Sequence, residues 1–186
     1  MIICVGSVFL DHIVKIDSFP KKPIKVLAQG IEKRLGGSAA VASFTIKKLG
    51  INTSFIGRLG NDDASKFLKN ELKKFKIKHN NIVEIKGVKS SQSFVYEDKR
   101  GERLLAAFSE KKLLNHKKLP KITFKKNTTV MSDLRWVEAT LYIAKNCNKN
   151  NLNHIVDLDN YKLNKKIKQI IHLSSHLIFS ETGAFE

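Results

Sequence analysis

The sequence predicts an α/β protein with a largely parallel, Rossmann-like sheet, helices on both of its faces, and a small antiparallel β sheet beside it. Three observations support this class. Short apolar runs alternate with helical patterns along most of the chain, and each run ends in a polar or glycine-containing segment. Two segments, 12–35 and 91–108, break that alternation and suit antiparallel strands. We therefore expect a single domain over residues 1–186, with those two segments forming a lid.

Five apolar runs are the candidates for the strands of the main sheet. They are Ile2–Val5, Thr53–Ile56, Thr129–Ser132, His154–Leu158 and His176–Phe179. Apolar residues at helical spacing predict four helices between them, over Ala39–Leu49, Ala64–Phe75, Trp136–Cys147 and Tyr161–Ile171. Gly50 stands at the C′ position of the first helix, and Asp62 and Asp63 are N-cap candidates for the second.

The lid segment 91–108 predicts a β-hairpin. Its strands are Ser93–Tyr96 and Arg103–Phe108, and residues 97–101 between them supply the turn. Together with the segment 12–35, this hairpin is expected to project over the ends of the main strands. A ligand bound at those strand ends would then lie under it.

The composition sets limits on partners. Lys and Arg number 34 against 17 Asp and Glu, which gives a formal net charge of +17. The lysines are spread along the whole chain rather than clustered with aromatic residues, so the charge indicates solubility and a general attraction for anions. Nucleic-acid binding is therefore not the favoured interpretation, and a small anionic substrate remains compatible.

The two cysteines, Cys4 and Cys147, lie in apolar patterns and form no C-x-x-C pair. The sequence thus predicts neither a disulfide framework nor a zinc site, and it favours a reducing cytoplasm. The apolar start, Met1–Leu10, lacks a basic leader and predicts a buried strand. No apolar run is long enough to cross a bilayer, so no membrane partner is expected.

The strongest local motif is the glycine pair Gly36–Gly37, which follows a strand and precedes a helix that opens at Ser38. Paired glycines let backbone N–H groups approach a ligand closely, and a helix N-terminus favours oxygen-rich or anionic groups. The spacing matches neither the dinucleotide-binding G-x-G-x-x-G nor the phosphate-binding P-loop. Alone, the motif is only a tight strand-to-helix turn.

The order of motifs around the glycine pair is more specific. In chain order they are Gly6–Asp11, Phe19–Pro20, Gly36–Gly37, Leu49–Gly50 and Phe55–Asp63. This set resembles the N-terminal portion of the ribokinase (PfkB) family of sugar kinases, over essentially the whole chain. The resemblance implies transfer of the γ-phosphoryl group of ATP to a sugar hydroxyl, with magnesium, and a sugar held between a ribokinase-like body and its lid.

The same resemblance implies the substrate-binding residues. Asp11 stands where the family's Asp grips sugar hydroxyls, and Gly36 and Gly37 match the substrate-contacting pair, with Ser38 and Gln92 beside them. A carboxylate accepts strong, charge-assisted hydrogen bonds from two adjacent hydroxyls. Without the family pattern, Asp11 would be interpreted as a turn residue at the end of a strand.

The closest resemblance is to the sulfofructose kinase branch, near the ketohexokinases. The matching segments are Lys89–Ser93, Gly101–Arg103, Ser132–Trp136, Asp157–Asp159 and Phe179–Glu181. Lys25 and Arg135 match the residues that meet the sugar's anionic tail there, which implies an anionic ketose, although Lys25 also suits a solvated surface lysine. Val41 replaces the wider family's Asn, a departure that this branch shares, whereas Ala107 replaces the branch's own Asn after the hairpin and weakens the implied substrate.

Four acidic residues follow predicted strands, where open α/β sheets bind ligands. They are Asp133, Asp157, Asp159 and Glu181. Two roles stay open for the three aspartates, a contact on the nucleotide or magnesium side and the capping of a helix. Glu181 is grouped with them because it lies in a segment that matches the branch.

The family's catalytic base and anion hole lie in a Gly-Ala-Gly-Asp segment, and this sequence contains none. We therefore expect no catalytic residue and no metal ligand in this chain, and an inactive chain when it is alone. Two interpretations remain: the sugar-binding half of a longer kinase, or a non-catalytic sugar-binding or dimerisation module. A homodimer through the lid is compatible with both.

Overall fold

The computed structural model describes residues 1–158 and 163–181. The strands, in chain order, are β1 (Ile2–Gly6), β2 (Phe9–Lys15), β3 (Gly30–Gly36), β4 (Thr53–Leu59), β5 (Val83–Glu84), β6 (Gln92–Glu97), β7 (Arg103–Phe108), β8 (Thr129–Asp133), β9 (His154–Asp157) and β10 (His176–Ile178). The helices are α1 (Ser38–Lys48), α2 (Asp63–Lys74), α3 (Lys111–Leu114), α4 (Val137–Lys149) and α5 (Lys165–Leu173), and a 3-10 turn, Leu134–Trp136, precedes α4.

Six of the strands form the main sheet in the order β10-β9-β8-β1-β4-β5, and every neighbouring pair is parallel. Alternate residues of the central strand β1 pack on opposite faces. Ile3 and Val5 join a core with α4, whereas Cys4 joins a core with α1 and α2. Because both faces are covered by helices, the central strands β1, β4 and β8 are almost continuously buried. This confirms the predicted class.

The five predicted main strands are confirmed, and the sheet has a sixth, β5, whose two residues are too short to give a pattern. Asp62 caps α2 by accepting a hydrogen bond from Ser65 N at 3.0 Å, and Gly50 follows α1 with φ +80°. Helix α5 begins at Lys165, with the Asn164 side chain as its cap, rather than at the predicted Tyr161, which lies outside the described residues.

The lid is a separate four-stranded sheet in the order β3-β2-β6-β7. Its predicted hairpin is present as β6 and β7, and β2 pairs antiparallel with β3. The expectation of a fully antiparallel sheet is wrong, because β2 and β6 run parallel, with Leu10 opposite Gln92. These two strands are joined by a long crossover through the body of the protein, which permits a parallel pair.

The side chain of the fully buried His154, in β9, contacts both β8 and the end of α5. Its Nδ1 lies 2.9 Å from Ser174 Oγ and its Nε2 lies 2.8 Å from Ser132 Oγ. Since the Ser174 hydroxyl donates to Ile170 O, Nδ1 carries the proton and Nε2 accepts from Ser132. Burial lowers the pKa of His154 to about 4.

Because of His154, we expect the free energy of unfolding to fall in mild acid. The unfolded chain binds a proton at this imidazole near its ordinary pKa of 6.5, whereas the folded chain binds it only near 4. Its contribution to the free energy of unfolding is therefore complete above about pH 6.5 and falls by roughly 2–3 kcal/mol by pH 4.5. Urea unfolding at both pH values measures this difference.

His154→Gln removes the titrating group and should flatten that part of the pH dependence. His172→Gln, at an exposed position on α5, is the matched control and should keep it. An equally steep pH dependence in His154→Gln and wild type would contradict the assignment.

Candidate functional site

Asp11 lies in β2, on the lid strand that leaves the body, and its carboxylate rests against Gly36 of β3. A Cβ at Gly36 would collide with that carboxylate, so the glycine makes the close approach possible. Ser93 of β6 donates a hydrogen bond to Asp11 Oδ1 at 2.5 Å. Burial raises the pKa of Asp11, although the Ser93 hydrogen bond and nearby His12 act in the opposite direction.

Gly37 is the N-cap of α1 and adopts φ +93°, a conformation that favours glycine. A Cβ there would lie 2.7 Å from the carbonyl oxygen of Ser7, which leaves no room for a side chain. The turn Gly36–Gly37 therefore holds the start of α1, at Ser38, directly beside Asp11. Four of the predicted binding residues, Asp11, Gly36, Gly37 and Ser38, are brought together here.

Asp133, at the end of β8, is 1% exposed, and its side chain connects the segments around this site through hydrogen bonds. Its carboxylate accepts hydrogen bonds from Ser7 N at 2.8 Å, Ser7 Oγ at 2.6 Å, Ala39 N at 3.2 Å and Arg135 N at 3.0 Å. It thus caps both α1 and the 3-10 turn. Of the two roles that the sequence left open, the structure supports capping.

A cavity of about 480 Å³ lies between the carboxyl ends of the main strands and the lid. Arg58, Arg135 and Glu138 line it from the body, and Ala107 and Ser109 line it from the lid side. The exposed Arg135 and Ala107, which stands where the branch has Asn, therefore line the same cavity. Its volume is within the range of small-molecule sites, roughly 300–1,000 Å³.

Arg58 is a site residue that the sequence analysis missed. It is 8% exposed, donates to Leu114 O at 2.6 Å and to Arg135 O at 2.9 Å, and lies 4.7 Å from the centre of the Trp136 ring. It thereby fixes two segments of the cavity wall. The available signal was a single arginine inside the apolar run of β4.

Comparison with known proteins identifies the fold and the family. Residues 1–185 match the family described as pfkB family carbohydrate kinase. The chain belongs to this family. It also matches a nucleoside kinase of Methanocaldococcus jannaschii, with 26% identity over 103 residues, which are 55% of this chain and 34% of that protein.

Solved structures agree with this. A protein of Agrobacterium tumefaciens assigned as a ribokinase has a TM-score of 0.89 and 25% identity, over 98% of this chain and 60% of that one. The Arabidopsis thaliana ribokinase complexed with ribose and ATP has a TM-score of 0.75 and 20% identity, over 98% of this chain and 60% of that one. The chain thus spans about 60% of these two solved structures and a third of the curated relative.

Two residues expected to bind substrate lie elsewhere. Lys25 is exposed on the connection between β2 and β3 and does not line the cavity of about 480 Å³. Gln92 Oε1 accepts a hydrogen bond from His12 Nε2 at 2.9 Å. Gln92 also stands opposite Leu10 in the β2–β6 ladder, so its side chain faces away from Asp11. Because side chains alternate along a strand, the next residue, Ser93, takes the position beside Asp11.

The remaining acidic candidates are not gathered into one site. Asp157 stands opposite Asp133 in the register of β8 and β9. Glu181 is exposed after β10, and Asp159 lies outside the described residues. Among residues 1–158 and 163–181, no three His, Cys, Asp or Glu side chains are grouped so that they could hold a metal ion. In the same ranges, no helix is long and apolar enough to span a membrane.

Proposed function

We propose that this chain supplies the sugar-binding half and the lid of an ATP-dependent sugar kinase. The observation that carries the proposal is the half-buried carboxylate of Asp11, held against Gly36 beside the start of α1. Such a carboxylate accepts hydrogen bonds from two neighbouring sugar hydroxyls, and the lid excludes water from them. Family membership supports the reaction class.

In this proposal the residues of the chain bind and orient the sugar, and the phosphoryl donor is ATP. ATP supplies the transferred group, and magnesium neutralises the charge that develops on it. The described residues do not fit a magnesium site, because Asp133 is enclosed and no metal-binding group is assembled. We therefore assign ATP and magnesium to parts of the family fold outside the described residues.

The substrate that we propose is an anionic ketose, as in the sulfofructose kinase branch. Two guanidinium groups, Arg58 and Arg135, line the cavity of about 480 Å³. Arginine suits a tetrahedral or planar oxyanion because its N–H groups form a fixed fork. Lys25 does not line this cavity, and both terminal nitrogens of Arg58 already donate to backbone carbonyls, so the proposal depends on Arg135.

Arg135→Ala tests the proposed tail contact. Calorimetric titration of wild type and variant with fructose, fructose 6-phosphate and sulfofructose should show a loss of roughly tenfold or more for the anionic sugars only, since one charge-assisted contact contributes about 1.5–3 kcal/mol. Lys145→Ala, in a remote part of α4, is the control. An equal loss for neutral and anionic sugars would show that Arg135 has only a structural role.

The second candidate is a non-catalytic sugar-binding or dimerisation module. It is favoured by the outer face of the lid, opposite Asp11, where large apolar side chains are exposed. These are Ile31, Phe94, Tyr96, Leu104 and Phe108. Exposed apolar patches of this kind mark interaction sites, and we propose a homodimer through this face.

The two candidates differ in what they predict for ATP and for assembly. Both candidates predict no ADP from this chain alone. Sugar-dependent formation of ADP when the chain is joined to a Gly-Ala-Gly-Asp segment of the family supports the kinase, and sugar binding without ADP formation by that joined protein supports the module. Sedimentation velocity tests the homodimer, and a monomer at every concentration would contradict it.

We also propose a cytoplasmic location, which is supported by the two buried free thiols, Cys4 and Cys147.

A further inference from the structure

Four residues of the lid lie in one row that crosses all four of its strands. Arg34 of β3 stands opposite Asp11 of β2, and Asp11 stands opposite Ser93 of β6. Ser93 in turn stands opposite Ala107 of β7, which lines the cavity of about 480 Å³. Side chains at one level of neighbouring strands point to the same face of a sheet. The row therefore joins Asp11 to that cavity, with Ser93 between them.

Ser93 is the member of this row that contacts the Asp11 carboxylate. It is 2% exposed, and its hydroxyl donates a hydrogen bond to Asp11 Oδ1. Within residues 1–158 and 163–181, no other group donates to this carboxylate. The second oxygen, Oδ2, is the one that lies closest to Gly36. Ser93 therefore occupies one oxygen and leaves the oxygen beside the glycine pair for a ligand.

We propose that Ser93 is a positioning residue of the sugar site, and that its hydroxyl holds the Asp11 carboxylate in the orientation that accepts hydrogen bonds from the sugar. The inference rests on the proposed sugar site at Asp11. A hydroxyl has a single proton, and Ser93 donates it to Asp11, so the serine acts on the sugar through the carboxylate. Because the carboxylate is oriented before the sugar arrives, less conformational freedom is lost on binding.

The same hydrogen bond favours the charged form of Asp11. Burial raises the pKa of this carboxyl group, and the hydrogen bond from Ser93 opposes the increase. The positive charge of His12, the next residue on β2, acts in the same direction as Ser93. A charged carboxylate is the stronger acceptor for sugar hydroxyls. Ser93 thus supports both the orientation and the charge that the sugar site requires.

The other charged groups near Asp11 stay in place when Ser93 is changed. Helix α1 has no charged residue before Lys47, and Asp133 on the body side is enclosed by its own hydrogen bonds. The charged residues on the Asp11 face of the lid form ion pairs with one another. These pairs are Lys15 with Glu32, Arg34 with Glu32, and Arg103 with Glu97. A substitution at Ser93 therefore removes a hydrogen bond to Asp11 without altering any charge around it.

Ser93→Ala tests the inference through two separate measurements. Calorimetric titration of this chain with fructose 6-phosphate at pH 7 should show an affinity about tenfold weaker than wild type, because the carboxylate loses its charge-assisted hydrogen bond. NMR titration of the Asp11 side-chain carboxyl carbon, without sugar, should show a pKa higher than in wild type, because the hydrogen bond that lowers it is gone. A purely structural serine would not move this pKa.

Two further variants separate the hydroxyl from the shape of the side chain. Ser93→Thr keeps the hydroxyl, and the small Ala107 opposite leaves room for the added methyl group. It should restore the affinity to within threefold of wild type and return the pKa of Asp11 towards its wild-type position. Ser65→Ala is the matched control, since Ser65 is a 2% exposed serine of α2 whose hydroxyl donates to Asp62 O. It should change neither measurement.

Each outcome separates this inference from the proposed function. If Ser93→Ala binds fructose 6-phosphate within twofold of wild type while Asp11→Ala does not bind it, the sugar site stands and the role of Ser93 is refuted. Equal losses of affinity in Ser93→Ala and Ser93→Thr, with an unchanged pKa of Asp11, would also refute it. If the wild-type chain does not bind fructose 6-phosphate, the proposed sugar site fails and the inference fails with it.

Discussion

Asp11→Ala should weaken sugar binding at least a hundredfold while the protein remains folded. The carboxylate is expected to accept hydrogen bonds from two sugar hydroxyls, and charge-assisted bonds contribute about 1.5–3 kcal/mol each. Burial raises the pKa of Asp11, which means that the folded protein disfavours its charged form. Removing the carboxylate should therefore not lower the free energy of unfolding at neutral pH.

Calorimetry with fructose 6-phosphate and urea unfolding measure these two effects separately. The control is Asp17→Ala, an exposed carboxylate on the connection after β2 that pairs with Lys99. Asp11→Asn keeps the shape and loses the charge, so its affinity should be intermediate. Sugar affinity within threefold of wild type in Asp11→Ala would refute the role given to Asp11.

Asp133→Ala should destabilise the fold by roughly 3–5 kcal/mol. The substitution leaves the backbone N–H groups of Ser7 and Ala39, both buried, without their acceptor, and an unsatisfied buried donor costs about 1–3 kcal/mol. It also removes the carboxylate that packs against Gly6, where a Cβ would collide with it. Because these contacts join β1, β8 and α1, the loss should be felt across the whole sheet.

Urea unfolding at pH 7 measures this loss, and Glu138→Ala, an exposed carboxylate nearby on α4, is the control. The control should cost less than about 1 kcal/mol, as exposed ion pairs do. A similarly small change in Asp133→Ala would contradict the structural role of this carboxylate and restore the interpretation in which it is available to a ligand.

The main sheet could be predicted from the sequence because its signals are local. The run Ile2–Val5 is apolar throughout, Phe55 and Ile56 form the apolar part of a second run, and Gly50 and Asp62 mark helix ends through their own chemistry. The parallel pairing of β2 with β6 had no local signal. It joins Leu10 to Gln92, and only the tertiary fold brings segments so far apart in the chain together.

The site was predictable to the extent that its residues lie in ordered motifs. Asp11, Gly36 and Gly37 follow such a pattern, and the structure brings them together. Ser93 could not be distinguished from Gln92, because the phase of side-chain alternation in β6 depends on its pairing with β2. Lys25 carried no positional information, because one exposed lysine in a chain of charge +17 resembles the others.

The central claim is that a sugar binds at Asp11 under the lid, and amide NMR of the uniformly ¹⁵N-labelled chain tests it most directly. During titration with ribose, fructose and fructose 6-phosphate, at least one sugar should shift the amide signals of Asp11, Gly36, Gly37 and Ser93. The amides of Lys145 and Lys149, in α4 and remote from the lid, should stay unchanged. Shifts confined to α4, or no shift with any of the three sugars, would contradict the account.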